Sequence, residues 1–244
     1  MAHIVVLGAG LGGAIAAYEV HEKLRKEDEI TVVSKGAIYQ FVPSNPWVAV
    51  NWRKRKDIGV DLRPVMKKKG INFVSTGASR VMPAENRLEL EDGQSITYDY
   101  LIIATGPKLN FGATPGLGPG GHSFSVCTET HAAEAAKALE VSVERMRRGE
   151  RQRFLVGTGH GGCTCEGAAF EYIVNLEFEL RARGVRDRAD LQWISNEYEL
   201  GDFGMGGMHL KRGGYVTPSK IFMESLFVER NIHWITRAHV RQVD

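Results

Sequence analysis

Three cysteines, Cys127, Cys163 and Cys165, are the side chains of this sequence with the most specific chemistry. A cysteine reacts as its thiolate, and the positive end of a helix dipole favours that form. Cys127 and Cys165 each lie at the start of a predicted helix, so both are candidates for redox chemistry. Side chains two residues apart on a helix point to different sides, so Cys163 and Cys165 would not face the same group. The alternative for each cysteine is inert packing.

The number and spacing of the cysteines limit what else they do. An odd count in a chain of 244 residues does not fit a disulfide scaffold. The Cys163-x-Cys165 pair could suggest zinc, but a structural zinc site needs about four ligands, usually in paired spacings. The histidines show no such spacing. The sequence therefore predicts thiol chemistry and no metal site.

A glycine turn, Gly8-x-Gly10-x-x-Gly13, follows an apolar run at 3–7 and precedes a helical segment at 14–25. In this context the glycines permit a tight turn, close backbone approach to a pyrophosphate, and close packing of helix on strand. The acid that usually holds the ribose of NAD is replaced by Ser34, which Lys35 follows. We therefore predict that this turn binds FAD rather than NAD.

A second glycine turn at 157–162 lies between a predicted strand at 153–156 and a predicted helix at 165–183. It could bind NAD(P)H, and Glu197, beyond the strand predicted at 191–195, could touch the ribose. Cysteines crowd the start of this helix, however. We interpret the second turn as an inherited fold element that binds no nucleotide.

Each turn needs a parallel sheet to hold it. Further strands are predicted at 30–33, 71–74 and 100–104, a hairpin at 87–98, and a helix at 128–148 capped by Thr128. The pattern predicts an α/β fold of tandem Rossmann-like, three-layer domains. Their bounds are an FAD-binding domain at 1–110, a Gly- and Pro-rich linker at 111–125, and a second Rossmann-like domain at 126–244.

The last part of the chain is predicted to be strand-like at 232–236 and 240–243, with no helix to close the sheet. An open sheet edge is a liability that proteins cover. We therefore expect the second domain to be incomplete at its C-terminal end, or completed by a segment outside this chain.

Charge and hydropathy exclude several classes of function. The formal net charge is +2, from 31 basic and 29 acidic residues, and no field of one sign favours nucleic acid. No apolar run reaches the ~18 residues of a transmembrane helix. The chain opens with Met1-Ala2-His3 and shows no secretory signal.

Four segments together resemble the sulfide:quinone oxidoreductases, a family of FAD-dependent enzymes. The most specific segment is Phe41-Val42-Pro43-Ser44-Asn45-Pro46-Trp47 and the residues that follow it to 52. The others are 98–109, which is similar to the family's second flavin-contacting strand, 126–134 with a family cysteine and histidine, and 165–172 with a second cysteine. The resemblance covers essentially the whole chain in order.

The resemblance implies roles for particular residues. Cys165 corresponds to a redox cysteine near the flavin ring, and Cys127 to the cysteine that attaches covalently to the flavin in some members. Glu171 corresponds to an acid near the sulfide path, and His131 to a family histidine. The residues implied to touch FAD are Gly8, Gly10, Gly13, Ser34, Lys35, Pro43, Ala78, Thr105 and Gly106.

The resemblance also implies the reaction and its partners. The family oxidises sulfide to polysulfide or sulfur and passes electrons through FAD to a membrane quinone. It meets the membrane surface as a peripheral protein, through a C-terminal region that lies beyond residue 244, and homo-oligomers are left open. Two departures affect these expectations: Asp202 stands where a second family histidine is expected, and Cys163 is additional.

Three alternatives stay open at this point. One is the flavin subunit of a flavocytochrome c sulfide dehydrogenase, whose usual export signal is missing. Another is a single-subunit NADH:quinone oxidoreductase, which would need a working second turn and no redox cysteines. The third is a catalytically silent fragment, which the abrupt end of the chain would favour.

Overall fold

A computed structural model describes residues 1–158, 160, 162 and 166–244. Within them, the helices are α1 (Leu11–His21), α2 (Asn45–Ala49), α3 (Leu62–Lys69), α4 (Glu129–Arg147), α5 (Glu166–Ala182) and α6 (Ser219–Glu229). The strands are β1 (His3–Leu7), β2 (Glu29–Val33), β3 (Ile38–Gln40), β4 (Gly59–Asp61), β5 (Asn72–Val74), β6 (Ala78–Met82), β7 (Arg87–Leu90), β8 (Ser95–Thr97), β9 (Tyr100–Ile103), β10 (Gln152–Thr158), β11 (Ala189–Ser195), β12 (His209–Arg212), β13 (Tyr215–Pro218) and β14 (Ile232–Ile235).

These elements form two compact units. The first contains residues 1–41 and 58–109, and the second contains residues 42–57 and 110–244. The sequence interpretation included 42–57 in the FAD-binding domain at 1–110. In the structure this segment, with α2, packs within the second unit.

The first unit has three layers around a parallel sheet in the order β5-β2-β1-β9. Alternate side chains of a strand face opposite sides, so both faces of an apolar strand can be buried. One face packs with Ala17 of α1 and Met66 of α3. The other face, with Val5, packs against Leu88 of the antiparallel β6-β7-β8 sheet. This double burial explains the continuous apolar runs of β1 and β2.

The second unit is built on a parallel sheet in the order β10-β11-β14. Its core contains Trp193 and Phe227, whose rings lie edge to face at 5.8 Å between centroids. Buried side chains of α4, α5 and α6 complete this core, including Leu139, Leu180 and Met223. The fold class predicted from the sequence, two Rossmann-like α/β arrangements in tandem, is confirmed.

The structure corrects one predicted strand. Residues 240–243 do not form a strand, so that prediction was wrong. After β14 the chain turns at Arg237, which has a left-handed backbone (φ 54°), and its N–H donates to the Glu197 carbonyl. The Val243 N–H donates instead to the carbonyl of Pro115, at 2.9 Å. The apolar alternation of this tail therefore serves loop packing rather than sheet pairing.

A buried carboxylate, Glu177 on α5, joins three arginines of the second unit. Its side chain is 4% exposed and lies 2.9 Å from Arg181, 3.6 Å from Arg186 and 3.7 Å from Arg230. Burial lowers the pKa of Arg186, and the negative charge of Glu177 opposes that shift. Removing one partner of a buried ion pair leaves uncompensated charge in a medium of low polarity.

We expect Glu177→Gln to lower the free energy of unfolding by about 3–5 kcal/mol, because three guanidinium groups lose their shared counterion. Urea unfolding followed by tryptophan fluorescence measures this change. The matched control is Glu144→Gln, which breaks the exposed Glu144–Arg147 pair on α4 and should cost less than about 1 kcal/mol. Equal effects of the two variants would contradict the prediction.

Candidate functional site

The first unit has an open cleft of about 540 Å³ at the carboxyl ends of its parallel strands. Ligands of open α/β sheets bind at this edge, because the loops that leave the strands converge there. The cleft is lined by Leu7, Gly8, Ala9, Gly10, Leu11, Gly12, Val33, Ser34, Lys35, Ala78, Glu91, Ala104, Thr105 and Gly106. Seven of the nine residues expected to touch FAD therefore line this cleft, and Gly13 and Pro43 do not.

Two glycines of the first turn are required by backbone contacts. Gly8 has a positive φ of 106°, and a Cβ there would overlap the carbonyl of Ala104. A Cβ on Gly13 would overlap the carbonyl oxygen of Gly8, so the turn and α1 pack backbone to backbone. Gly10 has no heavy atom within 4 Å of an added Cβ, which leaves its surroundings open. The turn therefore has a closely packed base at Gly8 and Gly13 and an open edge at Gly10, which we call the rim.

The rim offers hydrogen-bond donors. Gly10 caps α1 without a side-chain hydrogen bond to the first turn, so the helix N-terminus keeps backbone N–H groups free of capping. Such N–H groups and the helix dipole favour an anion such as a pyrophosphate. The arrangement can therefore hold a phosphate group through backbone alone.

Ser34 and Lys35 follow β2 at the other side of the cleft. The Lys35 ammonium lies 2.9 Å from the carboxylate of Glu91, which also lines the cleft. Sequence reasoning missed Glu91, because it follows β7 and is distant from the glycine turn in the chain. Its place just before the Asp92-Gly93 turn is the signal that could have located it. An acid is thus present at this side of the cleft although the position after β2 lacks one.

Pro43, an expected FAD contact that does not line this cleft, belongs to the second unit as part of 42–57. In that unit, the same segment donates hydrogen bonds to two glutamates of α5. The indole N–H of Trp47 donates to Glu171 at 2.8 Å, and that of Trp52 donates to Glu179 at 2.7 Å. Both indole N–H groups therefore have a polar role that sequence reasoning missed.

Cys127 and His131 lie within one turn at the start of α4. The Cys127 thiol is exposed, and its backbone N–H donates to Ser125 at 3.0 Å. Thr128 caps the helix by accepting from the His131 N–H at 3.2 Å, as predicted. The buried Nδ1 of His131 finds no hydrogen-bond partner among the described residues. An exposed thiol therefore lies four residues before a buried imidazole nitrogen in the chain.

Cys163 and Cys165 lie outside the described residues, so their expected roles rest on the sequence. Glu166, the residue after Cys165, begins α5 and is fully buried. Its carboxyl lies beside that of Glu197, which follows β11 and is 8% exposed. Burial, then the neighbouring Glu166 carboxyl, raise the pKa of Glu197 to about 8. Sequence reasoning gave Glu197 only a contact with ribose and gave Glu166 no role.

The model of the family described as "Pyridine nucleotide-disulphide oxidoreductase" matches residues 2–183. The chain belongs to the pyridine nucleotide-disulphide oxidoreductase family. The matched residues include both glycine turns and all three cysteines, Cys127, Cys163 and Cys165. Members of this family are FAD-binding flavoproteins, which confirms the predicted cofactor.

Within the pyridine nucleotide-disulphide oxidoreductases, the chain is similar to sulfide-quinone reductase from Aquifex aeolicus (strain VF5), with 37% identity over 242 residues. That match covers 99% of this chain and 52% of the relative. The mitochondrial sulfide:quinone oxidoreductase of Dictyostelium discoideum is 27% identical over 192 residues, which are 79% of this chain and 42% of the relative. The chain spans about half the length, or less, of these curated relatives.

Comparison with solved structures gives the same family assignment. The crystal structure of the Aquifex aeolicus sulfide:quinone oxidoreductase has a TM-score of 0.87 at 36% identity, and covers 100% of this chain and 53% of that chain. NDH2 of Plasmodium falciparum in complex with NADH shares the fold, with a TM-score of 0.66 at 19% identity, over 100% of this chain and 49% of that one. The resemblance to sulfide:quinone oxidoreductases inferred from the sequence is confirmed.

Proposed function

We propose that this chain is part of an FAD-dependent enzyme that oxidises sulfide and passes the electrons to a quinone. The observation that carries the proposal is the 37% identity to a sulfide-quinone reductase along 99% of the chain. The alternatives, including electron transfer to haem and a silent fragment, have no comparable support.

The cleft of the first unit fits the proposed cofactor. The backbone packing at Gly8 and Gly13 leaves space beside Gly10 that any side chain would reduce, which suits a pyrophosphate. Ser34 supplies a hydroxyl for the ribose, and Lys35 is held in place by Glu91. We assign residues 1–110 to the FAD-binding domain and 126–244 to a second Rossmann-like domain, joined by 111–125. Pro43 is proposed as a further FAD contact.

The sulfur chemistry is assigned to the second unit. Bound FAD would supply a two-electron acceptor for a thiolate. Cys165 would provide that thiolate, because it directly precedes α5 in the chain and a helix dipole favours an anion at its N-terminal end. Glu171, oriented by the Trp47 indole, would bind or release the sulfide proton, and Cys127 with His131 would form the second group of reactive side chains.

The proposed partners are sulfide and a membrane quinone. Among the residues that the structure describes, no helix combines the length and apolarity needed to cross a membrane. We propose peripheral contact with a membrane surface through a region outside this chain, as the resemblance implies. Homo-oligomerisation stays open, and no partner nucleic acid is proposed.

The proposed function is tested by asking which compound, sulfide or NADH, reduces the bound flavin. The full gene product is purified for this test, and it should release FAD when it is denatured. Under anaerobic conditions, sulfide should bleach its flavin absorbance and NADH should not. NADH is not expected to bind, because Glu197, the acid at the position that holds the NAD ribose, is buried beside Glu166 and is not accessible to a ligand.

Stopped-flow spectrophotometry with each reductant, followed by quinone addition, measures the result. Bleaching by NADH at physiological concentration would favour an NADH:quinone oxidoreductase. Bound NAD in place of flavin would contradict the cofactor assignment as well.

A further inference from the structure

The charged side chains of the cleft in the first unit form an ion pair whose role the proposed function leaves open. Among the described residues that line this cleft, Lys35 and Glu91 are the charged ones. The Lys35 ammonium donates to Oε1 of Glu91 at 2.9 Å. Lys35 lies two residues after β2, and Glu91 directly follows β7. The fold therefore brings a cation and an anion from two distant strand ends to the same cleft.

Backbone hydrogen bonds hold both residues of the pair against the segment 74–77. The N–H groups of the residues before and after Lys35 each donate to a carbonyl of this segment at 2.9 Å. The Glu91 N–H donates to the Gly77 carbonyl at 3.1 Å. Lys35 itself forms a β-bridge with Thr76. The two side chains therefore extend from neighbouring backbone positions that the fold fixes.

Gly77 leaves free the space that the Glu91 carboxylate needs. A Cβ on Gly77 would lie 3.1 Å from Cδ and 3.2 Å from Oε2 of Glu91, and its positive φ of 88° disfavours other residue types. The Glu91 side chain is nevertheless 40% exposed, so a ligand in the cleft can contact it. Oε1 accepts from Lys35. Among the described residues no hydrogen bond to Oε2 is formed, which leaves this oxygen available to a ligand hydroxyl.

The residues after the second strand of a Rossmann-like unit distinguish two forms of the adenosine ribose. An acid there accepts hydrogen bonds from the ribose hydroxyls, whereas a nearby basic residue accommodates a 2′-phosphate. By residue type alone, Ser34 and Lys35 would therefore favour a 2′-phosphorylated nucleotide. Glu91 reverses this preference, because it neutralises the Lys35 ammonium and brings a carboxylate to the same part of the cleft.

We propose that Glu91 is a specificity-determining residue, which makes this cleft accept an unphosphorylated adenosine ribose and reject a 2′-phosphate. Its carboxylate accepts a hydrogen bond from a ribose hydroxyl and repels a phosphate at the same place, so one group acts both for the right ligand and against the wrong one. FAD carries no 2′-phosphate, whereas NADPH does. The inference rests on the cofactor part of the proposed function and is independent of sulfide oxidation.

Two nucleotides that differ only in the 2′-phosphate test this selectivity. ADP-ribose and 2′-phospho-ADP-ribose both carry a pyrophosphate, and each is titrated by calorimetry into the full gene product freed of flavin. The wild type should bind ADP-ribose about tenfold more tightly or better, because a carboxylate and a phosphate repel each other at short range in a partly exposed cleft. The measurement needs neither sulfide nor quinone.

Glu91→Gln removes the negative charge at nearly constant shape and frees the Lys35 ammonium. The affinity for 2′-phospho-ADP-ribose should rise by about tenfold or more, since a free ammonium binds phosphate. The affinity for ADP-ribose should fall only by a small factor, because the amide oxygen still accepts a hydrogen bond. Adding Lys35→Met to this variant should abolish the gain, and the gain should also decrease as the salt concentration rises.

Glu89→Gln is the matched control. Glu89 belongs to the same strand, does not line the cleft, and pairs with Arg87 at 3.1 Å, so this variant should keep the wild-type selectivity. A wild type that binds both nucleotides equally, or a Glu91→Gln protein with unchanged selectivity, would overturn the role of Glu91 and leave the FAD assignment intact. A wild type that binds neither nucleotide would contradict the placement of the cofactor in this cleft and the inference together.

Discussion

Replacing Gly13 by alanine is expected to abolish FAD binding and to destabilise the first unit. The added Cβ would overlap the carbonyl oxygen of Gly8. This oxygen is a backbone atom, so no change of side-chain rotamer can relieve the overlap. Either α1 or the turn must move, and each forms one wall of the cleft. Flavin content per chain after purification, and the melting temperature of the protein freed of flavin, measure the two losses.

Gly12→Ala is the matched control. Gly12 lies one residue earlier on α1, and an added Cβ there meets no heavy atom within 4 Å. Alanine is favoured over glycine inside a helix by about 1 kcal/mol, so the flavin-free melting temperature should equal or exceed that of the wild type. A Gly13→Ala protein as stable as Gly12→Ala, with full flavin content, would contradict the assignment of this turn as a backbone-packed cofactor cradle.

The parallel strands and their turns could be predicted because local residue types determine them. The runs that became β1 and β2 are buried at every position from Ile4 and Ile30 onward, and all of these residues except Thr31 are apolar, as is typical of strands buried on both faces. The glycines at Gly8 and Gly13 mark a contact that no other residue permits. Thr128 indicated the start of α4 because its hydroxyl accepts from the helix backbone. Each of these signals lies within a few residues of the element that it predicts.

The side chains that complete the sites could not be predicted in the same way, because their partners are distant in the chain. Trp47 and Glu171 are 124 residues apart, and Lys35 and Glu91 are 56 apart. No spacing rule relates such residues, and each looked like an ordinary aromatic or surface charge. The membership of 42–57 in the second unit has the same origin, since α2 gains its burial from contacts with α4 and α5.

Glu197 shows how one residue type permits two interpretations. Its position after the second strand of a Rossmann-like unit is where an acid binds ribose, and the sequence interpretation considered that role. The ribose role requires an accessible carboxylate. The structure instead buries this carboxyl beside Glu166, with Asp202 and Phe203 of the following loop close by. Burial of this kind depends on a loop whose path the sequence does not reveal.

Cys165→Ser is expected to abolish flavin reduction by sulfide while the protein keeps its fold and its FAD. A hydroxyl has nearly the volume of a thiol, so little packing energy is lost. Its pKa is too high to give an anion near neutral pH, and it forms neither a disulfide nor a persulfide. Anaerobic stopped-flow measurements should place the loss in the reduction of flavin by sulfide. Reoxidation by quinone of flavin that has been reduced chemically should stay at the wild-type rate.

Cys163→Ser is the control for this experiment, because it makes the same chemical change two residues away. If residues 163–165 continue the helical course of α5, the two side chains point to different sides, and Cys163→Ser should reduce flavin at close to the wild-type rate. The reverse result, an inactive Cys163→Ser and an active Cys165→Ser, would assign the redox role to Cys163. Activity in both variants would show that the start of α5 carries no sulfur chemistry. The electrons of sulfide would then have to reach flavin by a route without these thiols.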